Sequence, residues 1–342
     1  MTIVFAIIIL LLLIFVHETG HFLTAKLTGI RVNEFSLGME PKIAGFVRGE
    51  TKYSFRAIPI GGYCAMEGED EDSEDPRAFG NKPARARALV LFAGSLMNVI
   101  LAIVLLAMVI FSVGLPTRVI SDVLEQAPVY EDGLRAGDEL LSINGVSVNA
   151  WNDISQIIND IAAKNPGGDP QLTLDVMRDG SPVTIESHFY KDDSGNMKLG
   201  ISPAMTRTPA FFFQSFGYGA QATFSMSEMM YEVIGQLVSG HAGISELTGP
   251  VGIVVTVGET MQYGFIYLVQ LTALISLNLG IVNLLPFPAL DGGRLVFLLI
   301  RKITGKAITN EIESRVHLVG ILALFAFMAF ITFQDIDRFF IK

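Results

Sequence analysis

The chain has 342 residues, of which 51% are hydrophobic and 17% charged, and carries a formal net charge of −10. It is too apolar for a single soluble domain and too long for one membrane anchor, so a polytopic α-helical membrane protein with a soluble part is expected. The acidic balance argues against a nucleic-acid partner, and the single cysteine, Cys64, excludes an internal disulfide.

The first expected transmembrane helix covers residues 3–27. It lacks the basic n-region and small-residue cleavage site of a secretory leader, so no removed leader is expected. Inside this apolar run stands His17-Glu18-Thr19-Gly20-His21. Residues i and i+4 share a helix face, so His17 and His21 can offer two imidazole nitrogens to one metal ion, with Glu18 beside them to activate water. Such a pentapeptide also arises by chance in soluble proteins. Within a membrane helix, however, three ionisable groups on one turn are costly unless a metal holds them.

Residues 28–87 carry nine Lys and Arg, with Arg85 and Arg87 at the edge of the second span, whereas residues 1–23 carry none. The loop is therefore expected on the cytoplasmic side. Within it, residues 52–60 alternate like a strand and end at Gly61-Gly62-Tyr63 as a hairpin turn would. The backbone of such a hairpin is either a pairing edge for an extended peptide or an ordinary surface feature. The acidic residues 67–75 read as a solvated loop, and Cys64 as a small hydrophobe in a loop.

Residues 88–113 form the second expected span, interrupted by Asn98. Residues 117–205 then change character. Short β-branched runs at 118–123, 139–143, 171–176 and 182–189 surround a helical period at 151–163 capped by Asn149 or Asn152, which predicts a small α+β domain or partly open barrel. Residues 211–238 mix aromatic with Gln and Glu residues and read as an amphipathic helix on the membrane surface. A third span is expected at 265–285, before Pro286 and Pro288, and a fourth, of marginal length, at 316–333. Arg294, Arg301, Lys302, Lys306 and Arg315 make the loop between them basic, so both chain termini and the 117–205 domain are expected outside the inner (plasma) membrane.

A catalytic zinc takes three protein ligands and keeps a position open. His188, His241 and His317 each stand alone and read as structural. Asp291, in Asn283-Leu284-Leu285-Pro286-Phe287-Pro288-Ala289-Leu290-Asp291-Gly292-Gly293, lies at the cytoplasmic end of the third span, where the prolines free backbone groups. Its carboxylate reaches the level of the histidines if the two helices pack. The alternative is a helix N-cap for the segment that follows.

The histidine pentapeptide, Gly94-Ser95-Leu96-Met97-Asn98, Leu247-Thr248-Gly249-Pro250-Val251-Gly252 and the Asn283 to Gly293 element resemble, in order and through almost the whole chain, the site-2 protease family of intramembrane zinc metalloproteases. The likeness is greatest to the bacterial branch that cleaves anti-sigma factors. In the soluble part, Ala127-Pro128 and Gly133-Leu134-Arg135-Ala136-Gly137-Asp138 resemble a PDZ domain, with room for one where many enterobacterial-type members carry two.

The resemblance implies His17, His21 and Asp291 as ligands of Zn2+, Glu18 as general base, and Asn283, with Asn98, Gly61 and Gly62, as substrate-binding candidates. It also implies a membrane-reentrant β-loop at 31–65 in the first domain (1–113), followed by the PDZ-like domain (117–205), the surface helix and linker (206–262) and a closing pair of spans (263–342). The implied partners are single-span membrane proteins, among them anti-sigma factors and signal-peptide remnants, the lipid bilayer, and a peptide C-terminus at the PDZ-like domain. A metal transporter or sensor using the same ligands is the rival reading, but the second and fourth spans offer few further ligands. An inactive PDZ adaptor is the other, and it would have no need of Glu18.

Overall fold

The computed structural model describes residues 1–69, 71–165, 168, 170–191, 197–206, 211–240, 243, 248–304 and 310–341, in two compact units, residues 1–109 with 213–342 and residues 110–212. The first unit opens with α1 (Thr2–Leu27), the antiparallel pair β1 (Val32–Arg48) and β2 (Thr51–Met66), and α2 (Ala84–Val113), which runs on into the second unit.

The β1–β2 turn lies at Gly49-Glu50, not at Gly61-Gly62 as the alternation predicted. Gly49 adopts φ 64°, which suits a residue without a side chain, and Glu50 is held by Lys26 at 2.7 Å and Arg77 at 2.8 Å. Gly61 and Gly62 instead lie within β2. Both strands bend, so residues 34–37 pair with 52–55 on one side and 62–65 on the other, while 44–48 pair with 51–55. Two strands thus make a four-ribbon sheet with residues 62–65 at one edge. Cys64 is a buried strand residue rather than a loop residue. Inside the sheet, Glu34 accepts from Ser54 (2.6 Å), Arg56 (2.8 Å) and Lys52 (3.0 Å). Burial alone would raise its carboxyl, but these donors outweigh it and hold the group at about 2.

The second unit contains β3 (Leu115–Val123), α3 (Pro128–Glu131), β4 (Glu139–Ile143), β5 (Val146–Ser147), α4 (Trp151–Lys164), β6 (Leu172–Arg178), β7 (Ser181–Ser187), β8 (Tyr190–Lys191), β9 (Met197–Lys198) and β10 (Ile201–Thr206). The main sheet runs β10-β3-β4-β6-β7, with β5 beside β4. Its inward residues Leu140, Ile143, Leu172, Leu174 and Val176 pack on Ile154, Ile157 and Ile158 of α4. The cap of α4 differs from the expected asparagines. Asp153 reaches back to accept from the backbone N–H groups of Asn149 (2.8 Å) and Ala150 (2.9 Å).

Asp138 is 1% exposed and pairs with Arg178 through two hydrogen bonds of 2.7 Å, while the Arg135 N–H donates to it at 2.9 Å. Removing one partner of a buried pair strands the other, so Asp138→Asn is expected to destabilise this unit by about 3 kcal/mol. Trp151, the single tryptophan, packs against this core and reports its unfolding by fluorescence. The expected fall in Tm is at least about 10 °C, and a shift under about 2 °C would show that the pair contributes little.

The chain returns to the first unit through α5 (Phe211–Val238), α6 (Pro250–Tyr263), α7 (Phe265–Asn283), α8 (Asp291–Thr304) and α9 (Asn310–Ile336). Among the described residues, four helical stretches are long and apolar enough to cross a membrane: Thr2–Leu27, Ala84–Val113, Phe265–Asn283 and Glu311–Phe340. The fourth exceeds its expected 316–333 because the helix continues through charged turns that an apolar window leaves out. Ala6, Ile9 and Leu13 of α1 pack on Val257 of α6 and Leu268 of α7, and Ala102 of α2 on Leu277 and Ile281 of α7. Met226, Met230 and Ile234 join that second cluster, so α5 lies against two of these helices. The carboxylate of Asp335, 3% exposed near the end of α9, accepts from the N–H groups of Gly249 (3.3 Å) and Gly252 (2.7 Å) and so caps α6. This gives the Thr248 to Gly252 motif a structural role, while Leu247 lies outside the described residues.

Candidate functional site

The site is assembled where the C-terminal part of α1 meets α2, the α7–α8 connection and the edge of the four-ribbon sheet. His17 and His21 share a face of α1, with Nε2 atoms 3.1 Å apart. Asp291 opens α8 and brings Oδ2 to 3.3 Å from each of these nitrogens. Among the described residues, these three form the group of metal-binding side chains that converge.

A zinc ion with bonds of about 2.0 Å sets the ligand atoms of a tetrahedron about 3.3 Å apart, which matches the spacings here. Asp291 Oδ2 is buried without a hydrogen-bond partner, as an atom awaiting a cation would be, and it makes no contact with the N–H groups of α8 that would mark an N-cap. The residues present therefore fit a three-ligand zinc site.

The surroundings fix the rings. His21 Nδ1 lies 2.8 Å from the carbonyl of Val90 and donates to it, which leaves Nε2 as the lone-pair nitrogen. His17 Nδ1 lies 3.3 Å from the Asn98 amide, whose Oδ1 is buried without a partner. A half-turn of that amide places Oδ1 on Nδ1 and again frees Nε2 for metal. Asn98 was expected to face substrate. It is fully buried behind His17 instead, because the Ser276 hydroxyl donates to its carbonyl at 2.8 Å and draws α7 over it.

Two glycines make this convergence possible. A Cβ at Gly94 would collide with His21 Nε2 and lie 2.8 Å from His17 Cε1, and one at Gly292 would collide with the carbonyls of Leu284 and Leu285. Sequence reasoning missed both roles, although Ala93-Gly94-Ser95 is a small-residue run of the kind that lets membrane helices approach closely.

A cavity of about 390 Å³ opens beside the three side chains, lined by Glu18, Gly62, Cys64, Asn283, Asp291 and His317 among others. A Cβ at Gly62 would stand 3.2 Å from Glu18 Cγ, so the 62–65 edge runs directly past Glu18. Asn283, the last residue of α7, faces this space, as does Gly62, while Gly61 packs against Met39 and is not among the lining residues. Burial pushes the Cys64 thiol up, and Glu18 and Glu69 push it further, and its sulfur is not one of the converging donor atoms. Arg294, one turn along α8 from Asp291, pairs with Glu69 at the rim. His317, expected to be structural, lines the cavity, His188 is exposed in the second unit, and His241 lies outside the described residues.

A solved PDZ domain of an SdrC-like protein from Listeria monocytogenes aligns with 27% of this chain and 87% of its own, at 22% identity and a TM-score of 0.21. A Clostridium acetobutylicum protein provisionally named a zinc metalloprotease is 38% identical, covering 98% of this chain and 97% of its own. The regulator of sigma-W protease RasP of Bacillus subtilis is 30% identical, covering 99% of each chain. The model of peptidase family M50 matches residues 5–327. This chain belongs to peptidase family M50 and is a zinc metalloprotease.

Proposed function

We propose that this protein cleaves peptide bonds in or beside the transmembrane segment of single-span membrane proteins, with His17, His21 and Asp291 as zinc ligands and Glu18 as general base. The observation that carries this reading is the three-ligand cluster, two of whose members lie on a membrane-length helix, with a strand edge, residues 62–65, passing along its cavity. A transmembrane helix must unwind before its backbone can be cut. An edge strand offers the unwound segment the hydrogen bonds it loses, and does so beside Glu18.

Zinc supplies a Lewis acid that lowers the pKa of water toward neutrality and polarises the scissile carbonyl. Glu18 takes the proton from the attacking water and passes it to the departing amine nitrogen. Asn283 lines the same cavity, and we assign it to hold the substrate carbonyl. Val90 and Asn98 keep the imidazoles aimed.

Lys26 lies in the last turn of α1 and Arg87 near the start of α2, Arg31 and Arg77 lie in the connection between them, and Arg294 and Arg301 lie on α8; this supports a cytoplasm-facing cavity in the plasma membrane and extracytoplasmic termini. The exposed Ile43, Phe46 and Val47 of the four-ribbon sheet suit burial in lipid as a reentrant loop. The name of the Bacillus subtilis relative ties it to sigma-W. Anti-sigma factors are accordingly the substrate class we favour, with signal-peptide remnants as the next. The PDZ-like domain would receive a new peptide C-terminus and filter substrates by their external part.

The test uses purified full-length protein in liposomes with one single-span substrate in two forms, externally trimmed and untrimmed. Trimmed substrate should be cut in or near its span, stop being cut on chelation and be cut again when zinc is restored, while untrimmed substrate is cut more slowly. Cleavage confined to sites remote from the span would overturn the intramembrane reading, and equal rates for the two forms would overturn the filter.

A further inference from the structure

The connection that carries Asp291 is held in an unfavourable conformation. Ala289, two residues earlier, has φ 87°, a left-handed value that a residue with a Cβ rarely adopts and that its surroundings must impose. The contact that imposes it comes from α9. The Ala289 N–H donates to His317 Nδ1 at 3.1 Å, which places the ring proton on Nε2. One turn along the same face of α9, the carbonyl and ring of Pro288 lie where a Cβ of Gly320 would stand, about 2.5 Å from it. Two successive residues of the connection are thus gripped by one helix face, and His317, Ala289 and Asp291 line the same cavity.

We propose that His317 is a positioning residue for the metal centre: by accepting the Ala289 N–H it holds the left-handed turn that aims Asp291 at His17 and His21. This rests on Asp291 being a zinc ligand, as proposed above. Without the acceptor, the N–H loses this partner and only the packing of Pro288 on Gly320 still opposes the strain at Ala289, so the backbone relaxes and carries the carboxylate away from the imidazoles. In this role His317 acts through the Ala289 backbone rather than as a proton carrier.

The substitutions that separate positioning from mere filling of space are Asn and Gln. Asn carries Oδ1 where His carries Nδ1, whereas Gln places its amide nearer the Nε2 position. Zinc affinity of the full-length protein in detergent, read by competition with a chelator, should fall on the order of tenfold in His317→Ala and His317→Gln and stay within about twofold of wild type in His317→Asn. Adding Ala289→Gly to His317→Ala should recover most of the affinity, because glycine adopts a left-handed φ without steric cost.

Equal losses in the Asn and Gln variants, unchanged affinity in all three, or no recovery with Ala289→Gly would each overturn the proposal. Asp291→Ala measured alongside keeps the two assignments apart. If Asp291→Ala binds zinc as tightly as wild type, it is the ligand assignment that fails.

Discussion

Glu18→Gln is expected to lower the rate of proteolysis by about 10²–10⁴-fold while the protein still binds about one equivalent of zinc. The expectation follows from what Glu18 touches and what it does not. It sits beside the three converging ligands and lines the cavity, but it is not one of the group whose donor atoms meet, so exchanging its carboxylate for an amide leaves that group intact. The amide has nearly the volume of the carboxylate, so the sheet edge that passes Glu18 at Gly62 stays where it is. The loss is the capacity to take a proton from water at neutral pH and return it to the leaving nitrogen. A drop of that size corresponds to about 3–5 kcal/mol of transition-state stabilisation, within the range that a single acid–base group supplies. Wild-type turnover with full zinc content would remove Glu18 from the mechanism. Loss of zinc together with activity would make it a ligand rather than a base.

Why some of this site could be read from the sequence, and some could not, comes down to the range of the interactions. His17, Glu18 and His21 are placed by one turn of one helix, so their spacing alone brings them to one face. Asp291 is 270 residues further on, and its arrival depends on α7 ending before Pro286 and on Gly292 letting α8 start against the carbonyls of Leu284 and Leu285. The prolines and the paired glycines flagged the place, but not the direction of the carboxylate. Asn98 was read as a polar interruption facing substrate, because a span of apolar residues gives no sign of which neighbour covers it. Ser276 and His17, both distant in sequence, decide that it is buried. The β1–β2 turn was misplaced for a related reason. Gly61-Gly62 has turn chemistry, but so does Gly49, and the ion pairs from Lys26 and Arg77 to Glu50 lie outside any local window. His317 was set aside because no ligand stands near it in sequence, and its role lies with a backbone N–H, which no pattern of side chains reveals.

Asp291→Asn is expected to lose most of the bound zinc and nearly all proteolysis, and it is the substitution that decides between the two roles open to this residue. As an N-cap for α8, Asn would serve about as well as Asp, since both accept from the free N–H groups of a first turn. Zinc content, stability and activity would then stay close to wild type. As a ligand, Asn is a poor replacement: it offers a neutral carbonyl oxygen where the cation was met by a carboxylate, and two imidazoles alone make a weak site. The contacts favour the second outcome, because Oδ2 lies 3.3 Å from both Nε2 atoms and has no hydrogen-bond partner. Metal analysis after gel filtration should give about one equivalent of zinc for wild type and well under half of that for Asp291→Asn. Glu18 is near enough to supply a substitute oxygen, so the same measurement on Glu18→Gln with Asp291→Asn closes that route. Full zinc in the double variant would mean that the third ligand lies elsewhere in the chain. Full zinc in Asp291→Asn but not in the double variant would mean that Glu18 had moved in to replace it, and the rate of that single variant would then fall with its displaced base.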